Sequence, residues 1–253
     1  MQKTYRSMDD LGGLLKKSRL RWRLVLFVVI LFLLVDIVIG YFIISGIGPK
    51  RSSGLESSVV KIHNNTAMGT GFFVSGKYVL TAAHVAGDVG NQVSLENAAG
   101  QLWQGKVIAS GYSEYQKFMI NQNQVKEGAT PHDWALIQIS EPDEYLSPLF
   151  LGSVADAQQG ATVFLVGHPH DQPLTITKGV ISRIEEQEIR TDGEIDPGFS
   201  GGPMIMVEGD APPENGMVVG IVVSSPAGMT TVKSAVPIDI VIKKCRDAGF
   251  ELL

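Results

Sequence analysis

The sequence predicts an all-β body with a C-terminal helix, preceded by one transmembrane helix. Three observations carry that reading. Short β-type runs punctuated by turn residues recur from Val59 to Pro237, a helical period appears only at 238–249, and residues 24–47 are almost uninterruptedly apolar.

Taken in order, residues 1–23 are a polar N-terminal segment, and 24–47, LVLFVVILFLLVDIVIGYFIISGI, carry a single charge, Asp36. A bilayer core needs about 20 apolar residues, whereas the apolar part of a signal peptide runs to only about 7–15 and ends in small residues. Here the run is longer and its end is bulky, at Tyr41, Phe42 and Ile43. An uncleaved anchor is expected. Lys16, Lys17, Arg19, Arg21 and Arg23 precede it and only Lys50 and Arg51 follow closely. The excess of basic residues on one side places the N-terminus in the cytoplasm and the rest in a periplasm or its equivalent. Asp36 either contacts another membrane helix or is carried as a protonated side chain. Residues 48–57, GPKRSSGLES, form a polar linker.

Residues 58–253 have the length of one large β domain. Its β-type runs are 59–63, 71–83, 92–95, 105–110, 134–140, 161–167, 174–184, 217–225 and 232–237, which read as a sandwich or a pair of barrels. The helix, 238-IDIVIKKCRDAG-249, sets Ile238, Val241, Ile242 and Cys245 on one face and stops at Gly249. Residues 111–131 break the pattern as a long polar loop, either functional or a tolerated insertion.

Composition narrows the function. A net charge of -5, with no basic cluster outside the N-terminal region, excludes a nucleic-acid surface. Cys245 is the only cysteine, so neither an internal disulfide nor a cysteine-based zinc site is available.

The chemistry centres on 195-IDPGFSGGPMI-205. Glycines around a serine make a turn as readily as a nucleophile, and a serine hydroxyl becomes reactive only beside an imidazole that a carboxylate orients. Five histidines compete for that place. His84 ends the apolar run 78-YVLTAAH-84, where a strand fixes it while the ring stays accessible. His63 lies within a strand, His132 in a loop, and His168 and His170 in the turn-like GHPHD. Read as a metal pair, the last two lack further ligands, so neither a metal nor a cofactor is expected. Asp133 opens the buried-looking run 133-DWALIQI-139, while Asp88 and Asp143 sit in less constrained loops. The chain order is His84, Asp133, Ser200.

With these residues in that order the sequence resembles the trypsin-like serine proteases, and among them the HtrA/Deg branch. The likeness covers about 58–245 and rests on TAAH ending at His84, DWALIQI from Asp133, GHP at 167–169, TKGVIS at 177–182, TDGEIDPGFSGGP at 191–203 and SAVPIDIVI at 234–242. It implies a chymotrypsin-like double β-barrel of six strands each, with His84 and Asp133 from the first barrel and Ser200 from the second. It also assigns an oxyanion hole to the backbone N–H groups of Gly198 and Ser200. The implied activity is a membrane-anchored serine endopeptidase acting on proteins or peptides through an acyl-enzyme, in envelope quality control or signalling. A protease-fold binding or chaperone-like module with little turnover is the rival reading.

Where digestive relatives carry an Asp before the serine, this chain has Phe199, so activation by zymogen cleavage is not expected. HtrA proteins normally continue into PDZ domains, and with few residues after Cys245 none is expected here; control would fall to loop ordering or to a homo-oligomer, a trimer by analogy. Glu194 and Val223 are the substrate-binding candidates. Glu194 shares its offset from the serine with the acid that selects Lys or Arg in trypsin, so it either pairs with a basic P1 residue or points to solvent beside an aliphatic one.

Overall fold

The computed structural model describes Phe27, Ile30 and residues 54–120, 131–143, 146–223 and 233–252. The chain divides into two compact units, Met1–Lys50 and Arg51–Leu253. Of the first, only Phe27 and Ile30 are described, both helical and exposed. The expected N-terminal segment, the rest of the 24–47 span and most of the linker therefore lie outside the described residues. Among the described residues no helix is long and apolar enough to cross a membrane.

The last residues of the expected linker belong to the folded body. Leu55–Ser58 forms a short helix, α1, with Leu55, Ser57 and Ser58 buried. The Ser57 and Ser58 hydroxyls both donate to the Gly54 carbonyl, so polar serines there close a turn instead of solvating a tether.

Twelve strands follow among the described residues. Strands β1 (Val59–His63), β2 (Met68–Phe73), β3 (Tyr78–Thr81), β4 (Gln92–Asn97), β5 (Leu102–Ser110) and β6 (Ala135–Ile139) close one barrel in the order β1-β2-β3-β6-β5-β4. Strands β7 (Thr162–Gly167), β8 (Thr175–Glu185), β9 (Glu188–Thr191), β10 (Pro203–Met206), β11 (Met217–Val223) and β12 (Lys233–Pro237) close a second, β10-β11-β12-β9-β8-β7. Every neighbouring pair is antiparallel. Closure removes the unpaired edges that an open sheet of this size would expose.

The run 71–83 is two strands, because Ser75 Oγ accepts the N–H groups of Lys77 and Tyr78 and reverses the chain between β2 and β3. Inward residues alternate along β4 and β5. Phe72, Leu80, Leu95, Leu136 and Ile137 fill the first barrel, and the same apolar cluster continues through Ile205, Ile221 and Val236 of the second barrel. A separate cluster around Leu165, Ile181, Ile189, Phe199 and Met204 fills the second.

Two further helices precede the terminal one: α2 (Ala83–Ala86) directly after β3, and α3 (Tyr112–Ile120) after β5. The C-terminal helix α4 (Ile238–Asp247) buries Ile238, Val241 and Cys245. Beyond it the Gly249 N–H donates to the Arg246 carbonyl and the Phe250 N–H to the Cys245 carbonyl, a Schellman stop at positive φ. Burial pushes the Cys245 thiol up to about 12, which leaves it an inert core residue.

Leu136 is fully buried in the apolar cluster that fills the first barrel. Its replacement in Leu136→Ala should lower the unfolding free energy by about 2–5 kcal/mol, measured by urea unfolding followed through tryptophan fluorescence.

Candidate active site

His84 stands in α2, one turn beyond β3, and Asp133 lies two residues before β6. Because β3 and β6 are paired from Tyr78↔Gln138 to Thr81↔Ala135, the two residues emerge side by side at the same end of the first barrel. The Asp133 carboxylate takes two hydrogen bonds from His84: Oδ2 lies 2.7 Å from Nδ1, and Oδ1 accepts the backbone N–H at 3.0 Å. Asp133 is buried at 3% exposure while His84 keeps part of its ring in the open. Burial alone would lower the His84 pKa, but the charge of Asp133 and its hydrogen bond outweigh it and raise the value above 6.5.

Ser200 follows the tight turn 196–199, in which the Phe199 N–H donates to the Asp196 carbonyl. Gly198 (φ 109°) and Gly201 (φ 87°) occupy backbone conformations that side chains rarely adopt. A Cβ on Gly201 would also collide with the Thr70 carbonyl and the Thr81 hydroxyl, and would lie 2.9 Å from the Ala82 nitrogen. The serine loop is thus pressed against residues 81–82, immediately before His84. On the other side Phe199 is an anchor, 1% exposed in the second barrel's core beside Gly167.

Carbonyls on either side of the serine are all engaged. Pro197 accepts from the His170 N–H at 2.8 Å, Gly198 from Thr70 Oγ1 at 2.6 Å, and Phe199 from the Gly202 N–H at 2.9 Å. In a trans peptide the N–H points opposite to the C=O, so tying back Pro197 and Phe199 directs the Gly198 and Ser200 N–H groups the other way.

Residues 69–221 match the family described as trypsin-like peptidase domain. The chain belongs to that family. This trypsin-like peptidase domain is 32% identical over 124 residues to protease Do-like 1, chloroplastic, of Arabidopsis thaliana, a match covering 43% of this chain and 27% of that one. It is 28% identical over 212 residues to protease Do-like 5, chloroplastic, of the same plant, covering 77% of this chain and 61% of that one. Among solved structures, the serine endoprotease from Yersinia pestis superposes with a TM-score of 0.58 at 20% identity, over 76% of this chain and 63% of that chain. At that identity the likeness is one of fold. The trypsin-like domain spans less than two thirds of the length of all three.

Of the other residues singled out from sequence, the two histidines of GHPHD lie against the serine loop. Glu194 is exposed, its carbonyl held by Thr177 Oγ1 at 2.7 Å, and Val223 is buried at the end of β11. His168 is buried, with Nδ1 3.2 Å from the Gln172 carbonyl, and burial lowers its pKa. His170 has left-handed φ and contributes its backbone N–H to the serine loop. Among the described residues no three His, Cys, Asp or Glu side chains converge as metal ligands.

Two contributors escaped the sequence reading. The first half of the expected loop 111–131 is helix α3, because Ser110 Oγ accepts the Tyr112 N–H and the Gly111 carbonyl the Tyr115 N–H. Residues 121–130 lie outside the described ones. Tyr115 of α3 lies with its ring centroid 6.0 Å from that of His84, and burial together with the nearby Asp133 charge pushes its phenol up to about 12. The second is Thr70, the hydroxyl donor to Gly198.

A raised folded-state pKa means that protonated His84 stabilises the fold below its unfolded value of about 6.5 and that this contribution disappears as pH rises through the folded value. In an NMR titration the His84 ring should therefore titrate above an ordinary histidine. Asp133→Asn removes the anion while burial persists, so the same resonance should move to a pKa below the ordinary value.

Proposed function

We propose that this chain is a membrane-anchored serine endopeptidase that works outside the cytoplasm, in envelope protein quality control or signalling. The observation that carries the reading is the His84–Asp133 pair with the Ser200 loop seated against the segment leading into His84. Ser200 Oγ attacks the scissile carbonyl as His84 Nε2 removes its proton, and Asp133 holds Nδ1–H and stabilises the imidazolium. The N–H groups of Gly198 and Ser200 receive the oxyanion, each such donor contributing about 2.7–4 kcal/mol. His84 then protonates the leaving amine, and water releases the acyl group from Ser200 by the same steps in reverse.

Only neutral His84 serves as base, so activity rises with pH through its raised pKa. The anchor rests on the apolar run 24–47 and the basic residues before it. Exposure of Glu194, together with the apolar, buried Val223, supports the aliphatic P1 alternative over the charged one.

Full-length protein in detergent should label with a fluorophosphonate and cleave casein, and Ser200→Ala should abolish both. Persistent cleavage by the variant would place the nucleophile elsewhere, and a folded wild-type chain that neither labels nor cleaves would favour the chaperone-like reading. In peptide-library profiling, Glu194→Gln should leave an aliphatic P1 preference unchanged; a wild-type preference for Lys or Arg that the variant loses would reinstate the charged pocket.

A further inference from the structure

Thr70 is fully buried in the middle of β2, among residues of the first barrel. Its hydroxyl nevertheless reaches the second barrel twice: it accepts the His168 N–H at 3.0 Å and donates to the Gly198 carbonyl at 2.6 Å. Its backbone N–H donates to the Ser200 carbonyl at 2.8 Å. Of the three donors that hold the carbonyls of Pro197, Gly198 and Phe199, the His170 and Gly202 N–H groups come from the second barrel's own chain segment, and only Thr70 comes from the opposite barrel.

We infer that Thr70 is the positioning residue that orders the Gly198–Ser200 backbone. A hydroxyl suits the place because it is donor and acceptor at once, and both partners are buried backbone groups. An apolar isostere would strand the Gly198 carbonyl and the His168 N–H together, and the least costly relief is for the Gly198 carbonyl to rotate toward solvent. That rotation turns the Gly198–Phe199 peptide, which lies between the peptides of the Gly198 and Ser200 N–H groups, and breaks the Phe199 N–H bond to the Asp196 carbonyl, so both N–H groups lose their fixed orientation. Thr70 touches neither His84 nor Asp133 through any of its hydrogen bonds, so the effect falls on the loop and leaves the base untouched.

The catalytic half of this inference rests on the proposed serine endopeptidase; the structural half does not. Full-length wild type, Thr70→Val and Thr70→Ser are compared by hydrogen–deuterium exchange over residues 196–202 and by casein or peptide cleavage across pH. Thr70→Val should speed exchange in that segment selectively, lower kcat roughly 10- to 100-fold with KM little changed, and leave the acid limb set by His84 in place. Thr70→Ser keeps the hydroxyl and should restore both protection and turnover; Thr70→Ala reads the same way should the valine variant fail to accumulate. Unchanged exchange in Thr70→Val, or a Thr70→Ser that loses protection as fully as Thr70→Val, would overturn the inference. A wild-type chain without Ser200-dependent cleavage would instead remove the endopeptidase reading, and the exchange data would still decide the role of Thr70.

Discussion

The hydrogen bonds of Thr70 are the constraint on which the arrangement of the serine loop, the GHPHD turn and the segment before His84 depends. Its N–H, its hydroxyl as donor, its hydroxyl as acceptor and its carbonyl bond to Ser200, Gly198, His168 and Thr81 respectively. Thr81 is the last residue of β3 and leads through Ala82 into the helix of His84. One side chain and its backbone therefore tie the serine loop, the GHPHD turn and the histidine segment to a common point. A buried polar group left without a partner costs about 1–3 kcal/mol, so displacing any one of these segments penalises at least one other. The glycines at 198 and 201 follow from the same constraint, since backbone packed this closely leaves no room for a Cβ.

The fold was legible wherever burial had a period. Strands such as β4, β6 and β11 showed themselves through alternating or continuous apolar residues. Two strands did not. In β9, Glu188 and Arg190 interrupt the apolar pattern, because Glu188 is buried and bonds to Arg190 Nε at 2.9 Å, and in β10 a leading proline and the glycines before it masked four buried residues. Helix α3, YSEYQKFMI, was hidden by a polar composition that defines no strong apolar face.

The candidate site was legible to the extent that chemistry restricts residue type. A base, an orienting acid and a nucleophile can each be only a few amino acids, and their neighbouring motifs narrowed them further. Thr70 had no such signature. A threonine inside a strand is ordinary β composition, and its partner Gly198 is 128 residues away in the chain. GHPHD presented the converse problem, two histidines that could be read as a metal pair but lacked further ligands in the sequence. Their service is rendered by the backbone, and His170 and Asp171 are the only non-glycine residues with positive φ among those described. That strained turn is held from the first barrel by Lys61, whose ammonium lies 3.1 Å from the Asp171 carboxylate and by hydrogen bonding holds its pKa below the ordinary range.

Counted from its own first strand, each barrel closes in the same order, yet the two halves share no repeat in sequence. The candidate groups are split between them: His84 and Asp133 belong to the first barrel, Ser200 and its flanking loop to the second. The first barrel's apolar cluster is completed by Ile205, Ile221 and Val236 of the second, so the two halves also share a core. Under the proposed mechanism, activity would require both barrels to be in place, because neither alone carries base, acid and nucleophile together.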